Sequence, residues 1–308
     1  MDFDPSISVA GLFVGFVVGL TGMGGGALMT PLLVLLFNIH PLAAVSSDLV
    51  ASLIMKPVGA AVHMKKGKVH FGLVRWLLIG AVPTAFAGAW LANKLARGHD
   101  VENALKIALG VALLVAVAAL TVKTLLAYWR RESSEGAEQP LNVRPLATLM
   151  VGLVGGTVVG VTSVGSGSLM MVLLLLLYPR LKASELVGTD LVQAVPLVGA
   201  AALGHILFGD VRLGLTVSLI VGALPGVYFG ARLSARAPDH FIRPPLMTVL
   251  LASGLKLLGV ATTPVVFASV GALVALALLA AASRRRELPA EASISMASPD
   301  QLLPDRSA

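Results

Sequence analysis

Two short runs of glycine and hydroxyl residues are the first chemistry this chain offers. One is Thr21, Gly22, Met23, Gly24, Gly25, Gly26. The other is Thr162, Ser163, Val164, Gly165, Ser166, Gly167. Such runs stop a helix and let the backbone come close to a ligand. A helix that restarts behind them presents free N–H groups and its positive dipole end, which attract anions. The candidate anion-binding residues are therefore Thr21, Gly24, Gly25, Gly26, Thr162, Ser163, Gly165, Ser166 and Gly167. The hydroxyls of these runs, with that of Ser168, would act as neutral donors. The same glycines would equally permit close helix packing, as small residues do in membranes.

A second set is titratable. At 100° per residue, Asp48, Ser52, Lys56 and His63 fall within about 80° of one another, one polar stripe on an apolar helix. Asp190 and His205 repeat its ends, while Ala194 and Val198 replace its middle; Gln193 lies nearby. Asp48 and His63 are roughly 22 Å apart along a helix and cannot share one ligand. Asp48, Lys56, His63, Asp190, Gln193 and His205 are candidates for gating or proton coupling. Against this, Ser47-Asp48 and Thr189-Asp190 could cap a helix, and a histidine near the end of an apolar stretch needs no special role. Lys56 would pair with Asp48 or meet an anionic substrate, since an unpaired lysine at membrane depth is costly.

These residues recur because the chain contains itself twice. Residues 11–29 match residues 152–170 at more than half of their positions, with an offset of 141 (Gly11 to Gly152). At an offset of 142, Asp48 pairs with Asp190, His63 with His205, Pro83 with Pro225 and Gly88 with Gly230. Two half-units around one substrate site are a common plan of membrane transporters.

The elements that must carry these residues are membrane helices. The 308 residues are 56% hydrophobic and 13% charged, with a mean hydropathy of +0.89. Soluble domains carry about 25% charged residues. Apolar stretches fall at 7–37, 41–64, 71–96, 101–128, 145–178, 183–207, 213–235, 241–258 and 262–283. The expected fold is an all-α integral membrane protein, a polytopic bundle of two repeats with Gly-broken first helices and 8–9 hydrophobic segments. It divides into a first membrane repeat (1–128), a polar linker (129–144), a second membrane repeat (145–258), an extra C-terminal membrane helix (259–283) and a disordered tail (284–308). Pro83 and Pro225 are expected to kink their helices.

The net charge of +7 does not point to nucleic acid, because the basic residues lie between apolar stretches, where the positive-inside rule puts them. Cysteine is absent, which excludes disulfides, thiol nucleophiles and Cys-based metal sites. No metal or other cofactor is expected. The first residues lack the basic region of a signal peptide, so the first stretch is expected to be retained.

The same charges bear on orientation. Lys65, Lys66, Lys68 and Arg75 place the loop after the second stretch in the cytoplasm. If the first and fifth stretches spanned the bilayer, Arg180, Lys182, Arg232, Arg236, Arg243 and Arg284–Arg286 would all lie outside. If those two stretches instead dip in and return on the same side, these residues lie inside with Arg130 and Arg131. The second reading is favoured. It makes the halves inverted, brings the two glycine tips together from opposite faces, and sets Asp48 near His205 and Asp190 near His63. The C-terminus is then cytoplasmic.

The chain also resembles a known family. The opening G-x3-G-x3-G-x-T-G-x-G-G-G, the S/T-D-L turns, His63 to Val69 (HMKKGKV) and Gly204 to Val211 (GHILFGDV) are similar to the sulfite exporter TauE/SafE family, also called toluene sulfonate uptake permeases, over residues 7–258. The resemblance implies a transporter of the bacterial-type cytoplasmic membrane, with some members linked to sulfite, sulfonates or sulfoacetate. Ser46-Ser47-Asp48 replaces the commoner Gly-Thr-Ser, and Lys56 is not a usual feature. The expected function is secondary transport of a small anion, sulfite or an organosulfonate first, by alternating access, with H+ or Na+ as a coupling ion. No P-loop motif occurs, so coupling to ATP within this chain is not expected. Alternatives are a passive anion channel and a membrane enzyme or assembly factor; no catalytic residue is assigned. The expected partners are the lipid bilayer and the small anion, and a homo-oligomer is left open.

Overall fold

The computed structural model describes residues 3–21, 25–63, 69–96, 101–130, 143–179, 181, 183–234 and 239–285. Among them are eleven helices: α1 (Pro5–Thr21), α2 (Gly26–Leu35), α3 (Pro41–His63), α4 (Phe71–Leu95), α5 (Val101–Arg130), α6 (Pro145–Thr162), α7 (Ser168–Leu177), α8 (Ala183–Phe208), α9 (Leu213–Ser234), α10 (Asp239–Leu257) and α11 (Thr262–Arg285). No strand occurs among the described residues. Six helices, α3 to α6, α8 and α9, are long and apolar enough to cross a bilayer. The long first stretch of each half is two helices. In the second half the break has a visible cause: Ser163 caps α6 with φ +61°, and Gly165 follows at φ +100°. Two left-handed residues so close together cannot continue an α-helix. Pro83 and Pro225 stand inside α4 and α9, where each removes a backbone donor.

The halves are interleaved. α1 packs most extensively on α9, and α6 on α4. Gly11, Gly15 and Gly19 lie against the backbone of Leu219, Ala223 and Val227. Gly152, Gly156 and Gly160 lie in the same way against Leu77, Ala81 and Ala85. These are equivalent positions, so one contact is made twice with the halves exchanged. In both pairs the residue numbers rise together, and the helices are parallel.

α3 and α8, which are also equivalent, run antiparallel. Ser46 near the start of α3 bonds His205 near the end of α8, and a methyl on Gly199 would sit 3.6 Å from Leu53 Cδ1. One end of the bundle gathers the starts of α1, α3 and α9. There the Asp4 N–H donates to Ser218 Oγ (2.9 Å), the Asp210 N–H to Ser46 Oγ (3.2 Å) and the Arg212 N–H to Ser47 Oγ (3.3 Å). α2 returns to this end antiparallel to α3, with Gly25 beside Ser52 and Thr30 bonded to Asp48. The opposite end gathers the starts of α4, α6 and α8. The start of α6 meets the end of α7 there: the Arg144 N–H donates to Tyr178 Oη (2.8 Å). The His70 N–H donates to Thr189 Oγ1 (3.2 Å), the counterpart of the Arg212–Ser47 bond.

Candidate functional site

The two breaks meet, and α3 lies against them. A Cβ on Gly26, at the start of α2, would fall on the carbonyl and hydroxyl of Ser163 in the other half. Only a glycine lets the two tips approach this closely. A Cβ on Gly25 would sit 3.4 Å from Ser52 Oγ and 3.6 Å from Asp48 Oδ1. α2 and α7 begin on Gly25 and Gly167 with no side-chain cap, so their first N–H groups are not closed off by their own N-cap side chains.

Asp48 is fully buried. Its Oδ2 accepts from Ser163 Oγ (2.7 Å) and Thr30 Oγ1 (3.0 Å), and its Oδ1 from Ser52 Oγ (3.4 Å). Two helical turns on, Lys56 Nζ donates to Ser166 Oγ (2.5 Å). The polar stripe of α3 therefore clasps the opposite half's break at two points, eight residues apart along α3 and three apart along the tip. Asp190 Oδ1 accepts from Gln193 Nε2 (2.9 Å); both residues are buried.

Some expectations change with this geometry. Asp48 and Asp190 stand inside α3 and α8, several residues past the first turn, so neither caps its helix. Thr21 and Thr162 turn their hydroxyls back onto their own helices: Thr21 Oγ1 donates to Val17 O (2.9 Å) and Thr162 Oγ1 to Val158 O (2.7 Å). Both bonds stay within the turn that precedes each break. His205 lies at the Asp48 end of α3, and its partner is Ser46 and not Asp48. Nδ1 is 2.8 Å from Ser46 Oγ, and Nε2 is 2.7 Å from Gly160 O. A carbonyl only accepts, so Nε2 carries the hydrogen. His205 is fully buried and joins α3, α6 and α8. Gly24 and the side chain of His63 lie outside the described residues.

Thr30 and Ser46 were not singled out by the sequence. Ser46 had a signal, the hydroxyl pair before Asp48. Thr30 had none, being a lone hydroxyl in an apolar stretch whose role depends on α2 folding back along α3. No group of His, Asp and Glu suited to a metal occurs among the described residues.

The sequence model for the sulfite exporter TauE/SafE family matches residues 7–257, which include both breaks, α3 and α8. The chain belongs to the TauE/SafE family. It is 39% identical over 254 residues to the "Probable membrane transporter protein YjnA" of Bacillus subtilis (strain 168), covering 82% of this chain and 99% of that protein. It is 25% identical over 253 residues to the "Probable membrane transporter protein YdhB" of the same organism, covering 80% and 96%. No solved structure matches. A TauE/SafE member with six helices long and apolar enough to cross a bilayer is a membrane protein.

Proposed function

We propose that this TauE/SafE protein is a secondary transporter of small anions, with sulfite or an organosulfonate as substrate, working by alternating access between inverted repeats. The observation that carries this reading is the meeting of the two breaks, Gly26 on Ser163, against the Asp48–Lys56 stripe. Uncapped half-helix starts, hydroxyls and one ammonium can hold an oxyanion without a crowd of charged side chains, which are costly at this depth. Irregular backbone at membrane depth is tolerated where it lines a cavity or is buried in protein.

Inversion is supported by the antiparallel run of the equivalent helices α3 and α8. The Arg144–Tyr178 bond supports a hairpin of α6 and α7 that enters and leaves at one end. Each repeat then has three crossings plus a re-entrant pair, over 1–128 and 145–258, with the helix after 259 added. The extra positive charge places His70 and the start of α4 at the cytoplasmic end, and residues 284–308 in the cytoplasm. The names of the Bacillus relatives favour a transporter over an enzyme.

The test is flux through the purified chain in proteoliposomes, with sulfite, thiosulfate, sulfoacetate and taurine offered in turn. Accumulation of one of them against its gradient is expected. Flux that only equilibrates would indicate a channel. Movement of a cation with none of the anions would reject the reading.

A further inference from the structure

Asp48 and Asp190 are equivalent residues of the two halves, but different chemistry holds them. Asp48 accepts from the hydroxyls of Thr30, Ser52 and Ser163. The positions equivalent to these three are Met171, Ala194 and Gly22, none of which carries a hydroxyl. Asp190 Oδ1 accepts instead from Gln193 Nε2, 2.9 Å away and three residues on along α8. Both residues are buried, in a helix long and apolar enough to cross the bilayer. The other end of the amide, Gln193 Oε1, is buried without a hydrogen-bond partner. A buried acceptor left unused is costly, and an ionisable group at this depth is a functional candidate by default.

The amide can serve either form of the acid. A carboxylate only accepts, so it takes the NH2 end and leaves the carbonyl over. A protonated carboxyl has an O–H to donate, which the carbonyl end can accept. The two ends of an amide are nearly equal in size, so a half-turn exchanges them without disturbing the packing. The 2.9 Å separation suits an N–H···O or an O–H···O bond. Protonating Asp48 would weaken three donated bonds at once, and bonds to a charged acceptor are the stronger ones. Protonating Asp190 exchanges its bond with Gln193 for another.

Other ionisable groups surround this pair. α8 packs against α3, α4, α6 and α7. α3 carries Asp48, Lys56 and His63, α4 carries Arg75 and Lys94, and α6 and α7 carry no titratable side chain. Beside Asp190, the His70 N–H donates to Thr189 Oγ1, and the His70 ring lies 3.4 Å from Glu185 Oε1. α8 itself adds Glu185 and His205, the latter bound to Ser46 and Gly160.

We propose that Asp190 is a proton-carrying site with Gln193 as its switching hydrogen-bond partner, and that Asp48 is a fixed acceptor. A proton from water converts the Asp190 carboxylate to the carboxyl, and Gln193 turns its carbonyl to the new O–H. Release of the proton reverses both changes. Protonation removes one negative charge from this layer and a substrate anion adds one, so each favours the binding of the other. The coupling is then proton–anion symport. That last step rests on the anion-transport reading; the proton site does not.

Infrared difference spectra of the full chain in detergent, acid minus neutral, test the site. The wild type is expected to gain the C=O stretch of a buried protonated carboxyl. Asp190→Asn should lack that band, while Asp48→Asn and Glu185→Gln should keep it. Gln193→Met, which removes the acceptor, should move it to higher frequency. A band unchanged in Asp190→Asn, or missing from Asp48→Asn, would overturn the inference. If Asp190→Asn does not fold, Gln193→Met decides: a shifted band supports the site and an unmoved one overturns it.

Coupling is read in proteoliposomes at zero membrane voltage, with the interior one pH unit more alkaline. The wild type is expected to accumulate sulfoacetate about tenfold, the ratio one unit supports for one proton per anion. Asp190→Asn should only equilibrate it. A wild type that equilibrates without accumulating, or equal accumulation by Asp190→Asn, would overturn the coupling. A wild type that moves no sulfoacetate would count against the organosulfonate reading alone, leaving the proton site to the infrared measurement.

Discussion

Asp48 of α3 and Ser163 at the end of α6 are joined by a 2.7 Å hydrogen bond across 115 residues of sequence. The bond ties the polar stripe of one half to the helix break of the other. Asp48→Ala would leave Ser163, Thr30 and Ser52 without this acceptor, a loss of about 2–4 kcal/mol. Asp48→Asn keeps one acceptor oxygen and should cost about 1 kcal/mol. Thermal unfolding in detergent checks the order: alanine well below asparagine, and asparagine below wild type.

The interleaved glycine contacts predict equal effects at equivalent positions. A Cβ on Gly15 would meet Ala223, with its Cα at 2.8 Å; one on Gly156 would meet Ala81, with its Cα at 2.7 Å. Because the obstacle is backbone, neither helix can yield by a rotamer change. Gly15→Ala and Gly156→Ala should each cost about 1–3 kcal/mol. Gly271 in α11 has nothing within 4 Å of such a carbon, and Gly271→Ala should be neutral or gain up to ~1 kcal/mol. Folded yield and unfolding temperature of the three variants separate these outcomes.

Ser46 and His205 form the contact between the start of α3 and the end of α8. Because the pair is buried, Ser46→Ala and His205→Ala should be non-additive, with a coupling of about 1–2 kcal/mol in a double-mutant cycle. At the other end, His70 and Glu185 approach to 3.4 Å with side chains 31% and 17% exposed. Solvent screening reaches that pair, and His70→Ala should cost about 1 kcal/mol or less. Unfolding temperatures of the single and double variants measure both.

The re-entrant reading predicts sidedness. The chain contains no cysteine, so single cysteines can report it. Phe3→Cys and Asn38→Cys, before α1 and after α2, should react with a membrane-impermeant maleimide from one face. Arg144→Cys and Pro179→Cys, before α6 and after α7, should react from the other. Labelling of the Phe3 and Asn38 positions from opposite faces would show that the first stretch spans.

What could be read from the sequence was what depends on local composition and period. The apolar stretches follow from transfer energy, the breaks after Thr21 and Thr162 from glycine content, and the stripe of Asp48, Ser52 and Lys56 from the helical period. The inverted orientation was an inference from charge, and the antiparallel α3–α8 pair supports it.

What only the tertiary structure decided was which partners those residues take. α1 packs on α9 far more than on the next helix in the chain, because Gly11, Gly15 and Gly19 along α1 present a flat face to α9, as Gly152, Gly156 and Gly160 of α6 do to α4. Asp48 takes its hydroxyls from α2, from its own helix and from the opposite break, and His205 takes Ser46 rather than Asp48. Thr21 and Thr162 turn inward to their own carbonyls. Periodicity assigns a residue to a face, but a hydrogen bond also needs the partner atom about 3 Å away in the right direction. That distance is set by how the two halves interleave, which no local pattern encodes.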